Sequence, residues 1–291
     1  MIRLTHAQAV ALMVLVTFLW SIAGLVTRQL ETAQSFEVTY WRSFFTSVSL
    51  LLILIFWRGR AVWEEFRKGR VVLWLSGLCW SSMFTFFMLA LTQTSVATVL
   101  VISSLSPLFT ALFARIFLRQ TIGGHTWVAI ALAMMGMVWM FGGQVTGASW
   151  IGAALALCVP LSAAANWVLV QQVHSKGTDI DLMPSVLIGA LLSTLITLPF
   201  ALPFRATAMD IGLLALLGLF QLAVPCLLLV VCAKVLKAPE ISLLGQLEIL
   251  FGILLVWLGA GEVPSPSVLE GGLLVLIALI TNELIGWKLR K

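Results

Sequence analysis

The stretch "ISLLGQLEILFGILL" (241–255) holds one carboxyl, Glu248, in a run whose other members, Ser242 and Gln246 apart, are apolar or glycine. Within lipid such a group costs about 3 kcal/mol on insertion scales, so it ordinarily faces a bundle interior or a watery cavity. There it can bind an ammonium group or a proton, or serve as a protonated or hydrogen-bonded structural carboxyl. Arg42, in "YWRSFF", is its opposite in charge. A guanidinium at that depth can neutralise a substrate carboxylate or an acidic side chain, or snorkel along its stem to the surface. Trp80, Phe84 and Phe87 recur at a spacing that sets them on one helical face. With Trp20 and Trp167 they offer stacking and cation–π contact to a ring-bearing or cationic solute, or plain packing.

Uncharged hydrogen-bonding groups complete the set. Ser95, Thr98, Ser103, Ser106 and Thr110 lie roughly along one stripe, and Ser162, Asn166, Gln221 and Gln246 join them from other segments. Each alone can be interhelical glue; together they converge on one interface. The helical period puts Ser242 and Gln246 on a different face from Glu248, and Gly245, Gly252 and Gly259 on its own. That glycine face is expected to approach neighbouring helices closely. Enzyme chemistry finds no such grouping. His6, His125 and His174 lie near segment ends, and there is no HExxH and no pair of buried aspartates. Cys79, Cys158, Cys226 and Cys232 lack metal-type spacing and read as small lipid- or core-facing residues. Neither a metal nor a cofactor is expected.

What must hold these groups is a membrane-spanning bundle. The chain is 61% apolar and 10% charged, against roughly 45–50% and about 25% in soluble domains. Apolar runs of about 20 residues, enough to cross roughly 30 Å of hydrocarbon, predict ten helices. They cover 8–28, 36–57, 71–91, 96–118, 124–142, 149–172, 182–203, 211–234, 240–260 and 267–287. The connections are short and leave no soluble domain. The first run is expected to be a retained helix, being too long for a signal peptide and lacking a small-residue cleavage site. Trp57, Trp74, Trp150 and Trp287 fall at span ends as an interfacial belt, whereas Trp20 and Trp80 fall near mid-span. Pro107, Pro160 and Pro225 are expected bending points.

The net charge of +5 reports orientation rather than a nucleic-acid partner. With the N-terminus inside, all of the 17 Lys and Arg except Arg28, Arg42 and Arg205 fall on the cytoplasmic side, a positive-inside pattern. Both termini are expected there, with the loop 58–70 and its Arg58, Arg60, Arg67, Lys68 and Arg70. A single cysteine at position 65 of a Cys-free variant should therefore resist an impermeant thiol reagent added outside. Its labelling would overturn the orientation.

A faint duplication divides the chain. "LSPLFTALFARIFLRQT" (105–121) aligns with "LEILFGILLVWLGAGEV" (247–263) at an offset of 142, sharing Leu105/Leu247 and Phe109/Phe251, and Trp20–Arg28 falls opposite Ala163–Gln171. The expected halves are 1–147 and 148–291, five helices each. Five is odd, so the second half enters the membrane in the opposite sense, a plan that puts a substrate site near the midplane between repeats. The expected fold is thus an all-α polytopic membrane protein with ten transmembrane helices, a 5+5 inverted repeat around a central cavity.

The segments "FLWSIAGLVTRQL", "YWRSFF", "ALTQTSVATVLVISSLSPLFTALFARIFL" and "LEILFGILLVWLGAGE" resemble the drug/metabolite transporter superfamily, in its ten-helix EamA-type branch. The shared features are Trp20-Ser21, Arg42, Pro107 with Phe109, Leu247-Glu248 and Gly261-Glu262. Gln120 and Ile249 depart from that pattern, standing where the branch usually has Glu and Pro. Within the branch, the deep aromatics look most like bacterial aromatic amino-acid exporters of the YddG type. The resemblance implies a secondary transporter of the bacterial inner membrane, working outward by alternating access, with a small metabolite and the lipid bilayer as its partners. Phosphorylated substrates would call for several buried Lys or Arg, and only Arg42 qualifies. Two expectations remain: an exporter of amino acids, aromatic ones favoured, and a proton-linked exporter of lipophilic cations exchanging at Glu248. The expected substrate-binding residues are Trp20, Trp80, Phe84, Ser103, Ser106, Asn166, Trp167, Gln221, Gln246 and Glu248, with Arg42 as a charge partner.

Overall fold

The computed structural model describes residues 4–27, 29–33, 35–59, 64, 71–144, 149–175, 180–261 and 263–290. Arg3, Arg28, Arg60, Arg67, Lys68, Arg70, Lys176, Glu262 and Lys291 lie outside them, as does the expected boundary between the halves at 147/148. Ten helices are long and apolar enough to cross a membrane, and no strand occurs among the described residues. They are α1 (His6–Thr27), α2 (Ser35–Arg58), α3 (Val71–Gln93), α4 (Val96–Ser103 continued by Ser106–Phe117) and α5 (Gly124–Phe141). Then follow α6 (Trp150–Ser175), α7 (Met183–Ala201), α8 (Ala208–Cys232), α9 (Ala238–Gly245 continued by Leu247–Ala260) and α10 (Pro266–Arg290). An apolar run of this length in lipid has to satisfy its own backbone, and the helix does so within one segment.

Three helices depart from a straight rod. In α4 the break falls at Ser104 and Leu105, directly before Pro107, whose ring lacks the N–H that would reach the carbonyl of Ser103. In α8 the turn before Pro225 widens into a π segment, Leu217–Ala223, with Val224 N–H donating to the carbonyl of Leu219. Pro225 was expected to bend this helix; the chain instead accommodates the missing donor as a π turn, a device common at functional sites. The break in α9 falls at Gln246, in a helix expected to be continuous. Pro160 is carried inside α6 without interruption.

Several packings recur between the first five helices and the last five. α3 lies against α6 and α7, and α8 correspondingly against α1 and α2. α4 packs on α6 as α9 packs on α1, while α2 with α7, α4 with α9 and α5 with α10 pair across the halves. Some packings break the pattern. The first part of α9 also contacts α6, whereas the first part of α4 makes no comparable contact with α1. The outer tryptophans behave as a belt should, Trp150 being 91% exposed and Trp57, Trp74 and Trp287 also exposed.

Candidate functional site

Seven helices, α1 to α4 with α6, α8 and α9, surround one cavity of about 240 Å³ at mid-depth. For scale, a cavity of about 150 Å³ takes up benzene. At 1.5 Å per residue, Glu248 lies about 15 Å along α9, and Trp80 about 14 Å along α3.

The charged pair is set by backbone crossings. Gly218, in the π segment, sits where an added Cβ would lie 2.7 Å from the Cβ of Phe45 and 3.0 Å from the carbonyl of Arg42. α2 can therefore press on α8, and Thr46 Oγ1 donates across the crossing to the carbonyl of Gly218 at 3.1 Å. Arg42 is buried as a result, at 7% exposure, and lines the cavity instead of snorkelling to the surface. Glu248 lines the same cavity, close enough for the two charges to act on each other.

The aromatic wall comes from α3 and α6. Trp80 meets Trp167 edge-on at 5.4 Å between ring centroids and Phe84 at 5.6 Å. Trp20 lines the cavity from α1, where its carbonyl lies 3.4 Å from Gln221 Nε2. Five lining residues carry buried polar atoms with no partner among the described residues: Arg42 Nε, Trp80 Nε1, Ser103 Oγ, Gln221 Oε1 and Gln246 Oε1. Each such atom costs about 1–3 kcal/mol, so their concentration around one cavity marks it off from the rest of the bundle. Ser106 completes the polar part, its hydroxyl 2.9 Å from that of Ser242 where the two broken helices meet.

Every expected site residue but one lines this cavity. Asn166 does not. It is fully buried, and its Oδ1 accepts from Ser76 Oγ at 2.7 Å, with Ser76 also 2.9 Å from Ser185. One residue before Trp167 on α6, it ties α6 to α3. Ser95 and Thr98, from the serine–threonine stripe, form the start of α4: Thr98 N–H donates to Ser95 Oγ at 3.2 Å. Ser162 binds Ser82 at 2.6 Å. Two expectations about α9 need correction. Ser242 and Gln246 share the cavity with Glu248 because the break at Gln246 resets the helix phase. A Cβ on Gly245 or Gly252 would meet nothing within 4 Å; only Gly259 is crowded, by Leu25 at 2.9 Å. Sequence reasoning passed over Cys226 and Met13, which also line the wall; their apolar character gives no signal.

On the side where both ends of the described chain lie, the cavity is closed by polar contacts. Ala238 N–H donates to Gln171 Oε1 at 2.8 Å, Gln171 Nε2 donates to Gln120 Oε1 at 2.8 Å, and His6 Nε2 sits 2.7 Å from Glu240 Oε1. These join α1, α6 and α9 with the segment after α4, the same place where α9 packs on α6.

Ten membrane-length helices around a central polar and aromatic cavity suit a transporter rather than an enzyme. The chain belongs to the EamA-like transporter family, which it matches over residues 7–142 and again over 150–282. It is 24% identical over 273 residues to the S-adenosylmethionine uptake transporter of Rickettsia prowazekii (strain Madrid E), covering 90% of each chain. It is 23% identical over 279 residues to the pseudopaline exporter of Pseudomonas aeruginosa (strain UCBPP-PA14), covering 94% of this chain and 95% of that one. A crystal structure shares the fold with a TM-score of 0.78, over 99% of this chain and 100% of its own, at 14% identity.

Proposed function

We propose that this small-metabolite transporter carries amino acids or similar zwitterions, ring-bearing ones favoured, through the central cavity by alternating access. The observation that supports this reading is the meeting of Arg42 and Glu248 in one cavity whose remaining wall holds Trp80, Phe84 and Trp167. A zwitterion meets both charges at once: its carboxylate faces Arg42, its ammonium group faces Glu248, and its ring lies on the aromatic wall. A lipophilic cation would have to share the cavity with the fixed charge of Arg42, which repels it. S-adenosylmethionine, named for the Rickettsia relative, is an α-amino acid bearing a ring system and a sulfonium cation, and unlike a plain lipophilic cation it brings a carboxylate to face Arg42. Net movement is outward across the bacterial inner membrane, as in the pseudopaline exporter and unlike the Rickettsia uptake transporter, with both termini cytoplasmic as the positive-inside pattern implies.

Counterflow in proteoliposomes tests the substrate class. Internal unlabelled tryptophan should drive saturable uptake of labelled tryptophan, and tetraphenylphosphonium should neither exchange nor compete. Exchange of the phosphonium driven by a pH gradient, with tryptophan inert, would replace this reading with the proton-linked cation exporter.

A further inference from the structure

A second cavity, of about 230 Å³, lies on the side of the bundle that holds the chain ends. It is formed by the segment joining α4 to α5, the start of α9 and the end of α10. The two cavities share α9 as a wall: Pro239 and Glu240 face the second one, and Ile241 and Ser242 the central one. Between them stands the polar closure made by Gln171, Gln120, His6 and Glu240.

The wall of this cavity carries both signs of charge. Lys237 and His125 line it together with the start of α5, where the N-cap Gly123 supplies no side-chain hydrogen bond and its carbonyl accepts from Thr126 N–H at 3.0 Å. Free N–H groups at a helix start favour an anionic partner, and Lys237 adds a full charge. Glu240 lines the same space, as does Asn282. Asn282 is 7% exposed, and its Oδ1 has no hydrogen-bond donor among the described residues, while its Nδ2 lies 3.5 Å from Glu283 Oε1. An amide oxygen held in that condition is an acceptor in want of a donor. Among the described residues no Phe, Trp or Tyr lines this wall, so it is suited to a polar head group rather than to stacking a large ring.

We propose that this cavity is a second binding site, one that takes the α-amino-acid head group of a zwitterionic solute on the closed side of the central cavity. The carboxylate lies against Lys237, His125 and the start of α5, and the ammonium group donates to Asn282 Oδ1 beside Glu240. The choice of solute rests on the transport reading above; the existence of the site rests on the charges of its own wall.

Equilibrium binding of labelled tryptophan to the full chain in lipid nanodiscs, where both faces are open to solvent, tests it. The wild type should bind two equivalents. Asn282→Leu should lose one of them, Lys237→Gln should weaken the same one by about tenfold, and Asn282→Asp, which keeps the oxygen, should retain it. Trp80→Ala should lose the other. Asn282→Leu protein with unaltered melting and unaltered binding overturns the proposal, as does a chain that binds no tryptophan. If Trp80→Ala abolishes all binding, one central site exists and the second site falls alone. If Trp80→Ala binds as wild type while Asn282→Leu loses an equivalent, the central reading falls and the second site stands.

Discussion

Replacing Glu248 with Gln should weaken tryptophan binding by about tenfold to a hundredfold while leaving transport measurable. A hydrogen bond to a charged partner is worth about 1.5–3 kcal/mol, and each 1.4 kcal/mol is a factor of ten in affinity. Gln keeps the shape and an acceptor oxygen, so the loss reports the charge and not the packing. The proton-linked reading gives a different result for the same protein. Glu248 is the one carboxyl among the described residues that line the central cavity, so its removal would abolish pH-driven transport and spare counterflow. If binding, coupling and pH dependence are all unchanged, Glu248 is a structural carboxyl and both readings fail.

Arg42 complicates that experiment, because the substitution leaves its guanidinium without an opposite charge in the same cavity. A buried charge deprived of its partner destabilises by about 3–5 kcal/mol. Some loss of binding could then come from a rearranged cavity. The Arg42→Gln/Glu248→Gln double variant separates the causes. If Glu248 serves mainly to balance Arg42, the double variant should melt and bind more nearly as the wild type does. If each residue holds one end of a zwitterion, the double variant should bind worse than either single one.

Much of this arrangement is legible in the residues, for a specific reason. In lipid a 20-residue apolar run has one stable form, so the ten spans follow from hydropathy, with ends displaced by only a few residues. A charged or amide side chain in such a run must turn inward, so Glu248, Gln221 and Gln246 were recognisable as interior groups. What composition does not carry is helix phase. The break in α9 at Gln246 has neither Pro nor Gly at the break itself, and Ile249 stands where the family pattern has Pro. The helical period read straight through the break therefore puts Ser242 and Gln246 on a different face from Glu248, which the structure does not. Asn166 illustrates a related ambiguity, since an inward amide can serve a cavity or a neighbouring helix, and only the positions of Ser76 and Ser185 decide it. The burial of Arg42 likewise depends on Gly218, 176 positions away along the chain.

The placement of Trp80 rests on a similar crossing, which carries an expected effect on stability and binding together. At Gly189 of α7 an added Cβ would overlap the Cβ of Trp80 and lie 3.0 Å from the carbonyl of Gly77 and 3.1 Å from the N of Ser81. None of these is the free end of a side chain, so no rotamer change relieves the clash, and α3 must move away from α7. Overpacking of this kind costs about 1–3 kcal/mol, and the helix that moves is the one bearing Trp80 and Phe84. Gly189→Ala should therefore lower the melting temperature and weaken tryptophan binding together. Gly252→Ala is the control, since its Cβ meets nothing within 4 Å and alanine is the better helix former by about 1 kcal/mol; its stability should hold or rise. The nature of the clash gives a further check. Because the contact is with the Cβ of Trp80, Trp80→Gly should partly offset the cost of Gly189→Ala in a double-mutant cycle, whereas Trp80→Ala, which keeps that atom, should not. Equal coupling for the two would mean that the indole, and not the backbone approach of α3 to α7, is what Gly189 accommodates.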